Sequence, residues 1–184
     1  MNRNRFTLTA VLLGVALAAT AAPLKTDQAK SRVSAVFKQM NVPVESAFKK
    51  FSASIDYDAA KPELAKASVE IDTASLDVGD PDMNKEVAKK DWFNAAQFPK
   101  ATFVSSAIKP AGAGQLAVSG RLTIKGKSME VHFPLTVKLE AGKQVFEGAL
   151  PIKRLSYNIG EGEWKDTSMV ADDVIIKFRV TAGQ

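Results

Sequence analysis

Few side chains in this sequence could carry out chemistry, and the residue type that most often acts as a general base occurs only once. His132 alternates onto the polar side of an apolar run, beside Pro134, so we interpret it as a surface residue. The sequence contains no Cys, which excludes a thiolate nucleophile, a disulfide framework and a thiolate-zinc site. With one His and no clustered carboxylate loop, we predict no catalytic residues, no metal and no cofactor.

Carboxylates offer the remaining route to acid–base chemistry. Glu161, Glu163 and Asp166 lie close together around Trp164, and a pair of carboxylates can act as acid and base without a histidine. We interpret them as solvated loop residues. The glycines at 160 and 162 lack the strand–loop–helix context of a nucleotide-binding motif, so backbone conformation explains them better.

The first residues differ in composition from the rest of the chain. Arg3 and Arg5 precede an apolar run over 8–18, and small residues follow at 19–21. This order is typical of a secretory signal peptide. The apolar run of about 11 residues is shorter than the roughly 20 that a membrane-spanning helix needs.

We therefore expect residues 1–22 to be removed, by cleavage after Ala21 or Ala22, which leaves one exported domain over 23–184. Loss of the two arginines lowers the formal net charge from +5 to +3, which argues against non-specific nucleic-acid binding. Without Cys there is no lipid-modified N-terminal cysteine, so the expected location is the periplasm.

Alternation of apolar and polar residues dominates the remaining sequence and predicts an all-β fold. Eight strands are predicted, with tight turns at 125–127 and 141–143. They lie at 32–37, 51–57, 68–72, 101–105, 116–125, 129–139, 146–152 and 174–181. An antiparallel meander of this kind is expected to close into a barrel, because closure removes exposed strand edges. An eight-stranded barrel can be filled by side chains or can hold one small ligand, and alternation does not decide between these.

Two long connections interrupt the strands. The connection over 75–100 contains a predicted short helix at 82–90, and the connection over 153–171 is rich in aromatic and glycine residues. Aromatic side chains in such connections could line a cavity mouth, or they could fill the barrel ends as ordinary core.

Five segments spread over the predicted domain resemble the YceI-like family of exported polyisoprenoid-binding proteins. They are residues 48–56, 69–76, 91–103, 118–126 and 154–174. The resemblance implies an eight-stranded, lipocalin-like antiparallel barrel with a short helix in one connection. It also implies a tubular apolar cavity for a long isoprenoid or similar amphiphilic lipid, often in a homodimer, and it supplies no catalytic residues.

Combined with the inward side of each strand, the resemblance predicts a ligand-binding lining; for each residue, ordinary core packing is the alternative. The predicted lining residues are Phe37, Phe51, Ile55, Val69, Ile71, Phe103, Leu122, Ile124, Phe133, Leu135, Phe146, Ile176 and Phe178, with Trp92, Phe93, Tyr157 and Trp164 at the ends. Arg154, or a mouth lysine such as Lys49 or Lys50, is the predicted contact for a lipid head group. A large side chain at Gly120 or Gly148 is expected to fill cavity space.

The sequence thus predicts a non-enzymatic protein that carries or sequesters an isoprenoid-type lipid by apolar burial, with at most transient contact with a membrane surface. Two alternatives stay open. One is an enzyme that acts on such a lipid through the carboxylates near Trp164. The other is a stress-related structural protein with a filled barrel and a surface for a partner.

Overall fold

A computed structural model of the protein describes residues 23–183. The predicted signal peptide and Gln184 lie outside the described residues. The described chain forms one α-helix and the strands β1 (Lys25–Thr26), β2 (Arg32–Gln39), β3 (Val42–Phe48), β4 (Phe51–Asp56), β5 (Lys66–Asp72), β6 (Leu76–Asp77), β7 (Lys100–Gly112), β8 (Gln115–Ile124), β9 (Lys127–Glu140), β10 (Lys143–Lys153) and β11 (Val170–Gly183), with α1 (Pro81–Val87) between β6 and β7.

The strands form one antiparallel sheet that curls into a half-barrel. Its order is β4-β5-β7-β8-β9-β10-β11-β2-β3-β6, and β1 pairs with the end of β11. β1 also reaches the edge strand β4: the amide of Leu24 donates to the carbonyl of Ile55 at 2.7 Å, and the Thr26 hydroxyl donates to the carbonyl of Ala53 at 2.8 Å. The predicted antiparallel β fold with a short helix is confirmed, but the sheet has eleven strands rather than eight.

The three additional strands are β1, β3 and β6. β1 and β6 contain two residues each, too few to show alternation. β3 pairs with β2 along its whole length, but Pro43 and a buried polar residue, Ser46, obscure its apolar side. The link between β2 and β3 is a two-residue turn in which Met40 and Asn41 both have left-handed φ angles, 47° and 65°.

Both of the predicted tight turns are present. Lys125 and Gly126 connect β8 to β9 with φ angles of 47° and 74°, and Ala141 and Gly142 connect β9 to β10 with 48° and 77°. Two successive positive φ angles define the turn type whose twist matches that of paired strands. These turns fix the register, so alternate residues of β8 to β10 face the barrel interior.

The helix α1 lies in the first long connection, as the sequence predicts. Asp80 caps its N-terminus, with its carboxylate accepting from the amides of Asp82 and Met83, and Pro81 occupies the first turn. Met83 and Val87 are one turn apart and both face the barrel interior. Among residues 23–183, no helix is long and apolar enough to cross a membrane.

Candidate functional site

The barrel interior contains a cavity at the end where the two long connections cross it, which we call the loop-side chamber. Its volume is about 260 Å³. The wall combines strand residues with residues from α1 and both connections. It consists of Ala35, Phe37, Gln39, Val44, Phe48, Ile71, Leu76, Val78, Met83, Val87, Trp92, Phe93, Ala101, Leu122, Ile124, Ile152, Arg154, Ile159, Trp164, Val170, Val174 and Ile176. Met83 is 38% exposed, so this side of the chamber reaches the molecular surface.

A second cavity, the sheet-side chamber, lies among the strands and has a volume of about 120 Å³. Almost all of its wall comes from the sheet. The wall consists of Val33, Ile55, Tyr57, Ala65, Lys66, Ala67, Val69, Ile71, Phe103, Ile108, Leu116, Val118, Leu122, Phe133, Leu135, Phe146, Leu150, Ile176, Phe178 and Val180.

The two chambers share three wall residues, Ile71, Leu122 and Ile176. These side chains lie between the two chambers, at a position that we call the constriction. The combined wall extends along β8 from Leu116 to Ile124, which is about 27 Å along a strand and roughly 20 Å along the axis of a barrel with tilted strands. The interior is therefore an elongated apolar space rather than a filled core.

Aromatic rings narrow the sheet-side chamber. Phe133 lies 5.5 Å from both Phe103 and Phe178, measured between ring centroids. A Cβ atom at Gly148 would collide with the ring of Phe178, and one at Gly120 would collide with the ring of Phe103 and the carbonyl of Val104. The two glycines do face inward, but the phenylalanine rings already occupy the adjacent space, so substitution displaces a ring rather than filling a void.

The structure brings most of the predicted lining residues to the chambers. The loop-side chamber contains Phe37, Trp92, Phe93, Ile124, Arg154 and Trp164; the sheet-side chamber contains Ile55, Val69, Phe103, Phe133, Leu135, Phe146 and Phe178; both contain Ile71, Leu122 and Ile176.

Two predicted lining residues lie elsewhere. Phe51 lines a separate surface groove with Lys50, Glu70 and Lys100, because it lies at the start of the edge strand β4. Tyr157 belongs to the second connection; it is only 2% exposed, packs into the core and lines neither chamber. Burial raises the pKa of its hydroxyl.

Arg154 lies in the wall of the loop-side chamber, 2% exposed, and all its N–H groups are used. Its Nε donates to the carbonyl of Ala171 at 3.1 Å. Its terminal nitrogens donate to the carbonyls of Ile159, Gly160, Trp164 and Val170 at 2.8, 3.3, 2.7 and 2.7 Å. A guanidinium has five N–H donors, so none is left for a head group. In this arrangement Arg154 has no unpaired N–H group to offer, and its contact with a head group stays a prediction.

The role of Arg154 is to hold the second connection across the barrel end. Gly160, with φ +81°, passes so close to the guanidinium that a Cβ atom there would collide with it. Burial lowers the pKa of the guanidinium, and the charge of Asp172 opposes that effect. The buried cation is solvated by backbone carbonyls, a pattern that residue spacing does not reveal.

Lys125 performs a similar task from the turn between β8 and β9. Its ammonium group donates to the carbonyls of Lys90 and Asn158, both at 2.7 Å, and to Oε2 of Glu161 at 2.9 Å. This hydrogen bond holds the pKa of Glu161 below its ordinary value. The lysine therefore fastens both connections to one strand turn, and only its position in a turn marked it in the sequence.

The two connections also bind each other. The amides of Gly160 and Glu161 donate to the carbonyl of Asp91 at 2.8 and 2.7 Å. Trp92 packs against Trp164 with ring centroids 5.2 Å apart, and the guanidinium of Arg154 lies 5.7 Å from the centre of the Trp92 ring. The connections, Arg154 and Lys125 form a single hydrogen-bonded cap over the loop-side chamber.

One buried polar atom of a wall residue has no hydrogen-bond partner. Trp92 is 8% exposed, and its indole nitrogen Nε1 is buried with no hydrogen-bond partner among residues 23–183. The side-chain nitrogens of Arg154 and Lys125, by contrast, all have acceptors within the protein.

The remaining polar candidates lie away from the chambers. Lys49 pairs with Asp77 at 3.1 Å, and Lys50 borders the surface groove that contains Phe51. His132 is exposed on the outer side of β9, where its Nδ1 lies 2.8 Å from the hydroxyl oxygen of Ser119. None of these three residues lines either chamber.

The three loop carboxylates do not converge on a reactive centre. Glu161 is occupied by Lys125, Glu163 is exposed, and Asp166 accepts from the amide of Ser168 at 2.9 Å. That last contact lowers the pKa of Asp166. The arrangement can stabilise loop conformations, and it offers no acid–base pair facing the chamber.

Comparison with known proteins gives consistent matches over the described chain. The YceI-like domain model matches residues 24–182. A UPF0312 protein from Shewanella baltica is 33% identical over 141 residues, which covers 73% of this chain and 72% of that protein. The crystal structure of BcnA from Burkholderia cenocepacia superposes with a TM-score of 0.84 and 57% identity, over 86% of this chain and 99% of that one.

More distant structures share the fold. A YceI protein from Campylobacter jejuni has a TM-score of 0.68 and 26% identity, over 77% of this chain and 85% of that one. A polyisoprenoid-binding domain from Saccharophagus degradans has a TM-score of 0.70 at 18% identity, over 89% of this chain and 98% of that one. The family match spans nearly every described strand, and the chain belongs to the YceI-like domain family.

Proposed function

We propose that this protein binds a polyisoprenoid or similar long-chain lipid, with the chain extended through both chambers. The observation that carries the proposal is the continuous apolar wall through the constriction at Ile71, Leu122 and Ile176. The Saccharophagus degradans protein of the same fold is a polyisoprenoid-binding domain, which supports this class of ligand.

Apolar burial supplies enough free energy for such binding. Each buried methylene contributes about 0.8 kcal/mol, so about 20 buried chain carbons contribute roughly 16 kcal/mol before costs. Association and ordering cost about 4–15 kcal/mol. About 1–12 kcal/mol is left in favour of binding, so apolar burial can drive binding without a specific polar contact. The proposed role is to hold, carry or sequester the lipid, with no catalytic step.

Chain length provides the test. Lipid-free protein, refolded from denaturant, is titrated with isoprenoid alcohols of 10, 15, 20 and 30 carbons. We expect affinity to rise with length and then to level off once the chain fills both chambers. Melting temperature must rise with each bound ligand, because the ligand stabilises only the folded state. An affinity that does not depend on length would contradict the proposal.

The natural ligand is identified by native mass spectrometry of protein purified gently from its own host, followed by organic extraction. A bound long-chain isoprenoid at one molecule per chain is the expected result. We further propose that the protein is exported to the periplasm after removal of residues 1–22, on the basis of the N-terminal composition. The intact mass from the same measurement checks this, since it should correspond to a chain beginning at Ala22 or Pro23.

A further inference from the structure

Three exposed apolar side chains lie beside the wall of the loop-side chamber, and we call them the apolar rim. Met40 is 61% exposed, Val42 is 62% exposed and Met169 is 47% exposed. The amide of Met40 donates to the carbonyl of Met169 at 2.9 Å, so the turn after β2 lies against the chain before β11. Val42 pairs with Gln39, and Met169 precedes Val170; both of these neighbours line the chamber. The rim therefore adjoins the chamber wall.

Neither burial nor backbone preference explains the residue types of the rim. Met40 has a φ angle of 47°, a left-handed conformation that favours Gly, Asn or Asp and strains other residues. Its side chain is exposed, so packing does not offset this strain, and strain of this kind points to a function. Exposed apolar residues that are scattered singly are ordinary, whereas several that meet beside a cavity point to an interaction surface.

Size and charge indicate what the rim contacts. A stable protein interface involves about 20–30 residues on each side, so three side chains are too few for a second copy of the chain or another protein. The rim itself is uncharged, and the segments 37–45 and 164–170 that carry it each contain one lysine and one acidic residue, whose charges cancel. A small, uncharged apolar surface matches the hydrocarbon of a lipid bilayer, because such binding scales with the apolar area that is buried.

We propose that the apolar rim docks this protein on the surface of a lipid bilayer and that the loop-side chamber takes up its lipid directly from the membrane. Insertion of the rim brings the chamber against the bilayer, so the lipid chain passes from one apolar environment to another. Transfer through water would instead expose the whole chain. This inference rests on the proposed lipid-binding function. The function concerns what the cavity holds, and the inference concerns how the lipid enters.

A triple variant removes the apolar surface of the rim and keeps its backbone. It combines Met40→Asn, Val42→Thr and Met169→Gln; Asn suits the left-handed turn, and Thr is β-branched like Val. The control is the double variant Val104→Thr and Leu139→Gln. These two residues are 55% and 69% exposed and line neither chamber, so the control removes exposed apolar side chains from elsewhere on the surface.

The first measurement is flotation with phosphatidylcholine vesicles that contain no isoprenoid. We expect wild type and the control to bind the vesicles equally and the triple variant to show a partition coefficient lower by about tenfold or more, because apolar area drives the contact. Added salt should not weaken the binding, since the contact involves no charge. Equal partitioning of the triple variant and the control, or a wild-type protein that does not bind the vesicles, would overturn the proposal.

The second measurement is the rate at which the protein takes up an isoprenoid alcohol of about 20 carbons from the same vesicles. Uptake by contact becomes faster as the vesicle concentration rises, whereas uptake through water is limited by release of the lipid. We expect the contact behaviour for wild type, with uptake about tenfold slower in the triple variant. Its Kd for the alcohol added without vesicles should stay at the wild-type value.

Two outcomes separate this inference from the function on which it rests. A wild-type uptake rate that does not depend on vesicle concentration would refute membrane uptake and leave lipid binding intact. Failure of wild type to bind the alcohol without vesicles would refute the lipid-binding function and the uptake with it, whereas flotation reports on docking alone.

Discussion

The two chambers lie on one axis but are made from different kinds of chain. The sheet-side chamber is walled by strands, and its narrowing comes from Phe103, Phe133 and Phe178. The loop-side chamber is roofed by two connections, and its roof depends on a buried cation and its carbonyl acceptors. The contrast separates two tasks: the strands provide apolar length, and the cap provides the polar chemistry at one end.

The largest effect should come from breaking the cap at Arg154. Arg154→Met keeps the apolar stem but leaves five carbonyls without a donor. A buried acceptor left unsatisfied typically costs about 1–3 kcal/mol, so the loss over these carbonyls should reach several kcal/mol. We expect urea denaturation to show a loss of that size in the free energy of unfolding, and Arg154→Lys, with three donors, to recover only part of it.

The control for this variant is in the other chamber. Val118→Ala removes buried atoms from the sheet-side wall without touching the cap. Val118→Ala should lower the free energy of unfolding by less than Arg154→Met does, within the range of about 0.5–3 kcal/mol that is usual for single substitutions. Equal losses for the two variants would mean that the cap contributes no more to stability than ordinary packing.

The next effect should follow from closing the passage between the chambers. Leu122→Phe adds bulk at the constriction, so a long ligand can no longer extend into the sheet-side chamber. Exclusion of about four chain carbons removes roughly 3 kcal/mol of burial, or about a 100-fold change in Kd. Calorimetric titration should show this loss for a 20-carbon isoprenoid and a much smaller one for a 10-carbon analogue.

Ile124→Phe is the matched control, since Ile124 lies on the same face of β8 but borders the loop-side chamber alone. Ile124→Phe should weaken the binding of short and long ligands alike. If Leu122→Phe also weakened both equally, the chambers would not act as one continuous site.

A smaller effect is expected from crowding the sheet-side chamber at Gly148. Gly148→Ala forces the ring of Phe178 to move inward, and overpacking of this kind costs about 1–3 kcal/mol. Thermal denaturation measures the loss. Adding Phe178→Leu removes the ring and should recover stability, with a coupling energy that shows the two sites to be interacting. If the two substitutions changed the free energy of unfolding additively, the methyl group added by Gly148→Ala would not be in contact with the ring of Phe178.

The smallest effect concerns the pH dependence of the cap. Lys125 lowers the pKa of Glu161, so the carboxylate stabilises the fold above about pH 4.5, and this contribution is lost as the pH falls through the lowered folded-state pKa. Glu161→Gln should therefore reduce the melting temperature at pH 7, by the equivalent of about 1 kcal/mol or less, and should approach wild type near pH 3. Glu163→Gln, at an exposed position, should follow the wild-type curve throughout.

The sequence was a good guide to the sheet-side chamber and a poor one to the cap. Alternation assigned Phe133, Leu135 and Phe178 to the interior, because residues two apart on a strand face the same side. It also gave the turns at 125–126 and 141–142, where glycine marks the left-handed backbone. The wall of a chamber made from strands is thus encoded in a local pattern.

The cap has no comparable pattern. The five acceptors of Arg154 are main-chain carbonyls. Because every residue has a main-chain carbonyl, the residue types in the sequence do not indicate which ones bind Arg154. Alternation likewise gives the face of a residue and not its depth along the axis, which is why it predicts that Phe51 lines the cavity although this residue borders a surface groove. β3 was missed because the buried Ser46 interrupts its apolar side.

The pairing of the first strands with the last one has a consequence for how the protein acquires its structure. β1 and β2 both pair with β11, so one edge of β2 and the whole of β1 find their partners only at 170–183. Contacts between residues so distant in sequence are slow to form, because a long loop must close first. The cavity therefore cannot be completed until the final strand is available, and a chain truncated before β11 would have an open sheet edge on either side of the missing strand.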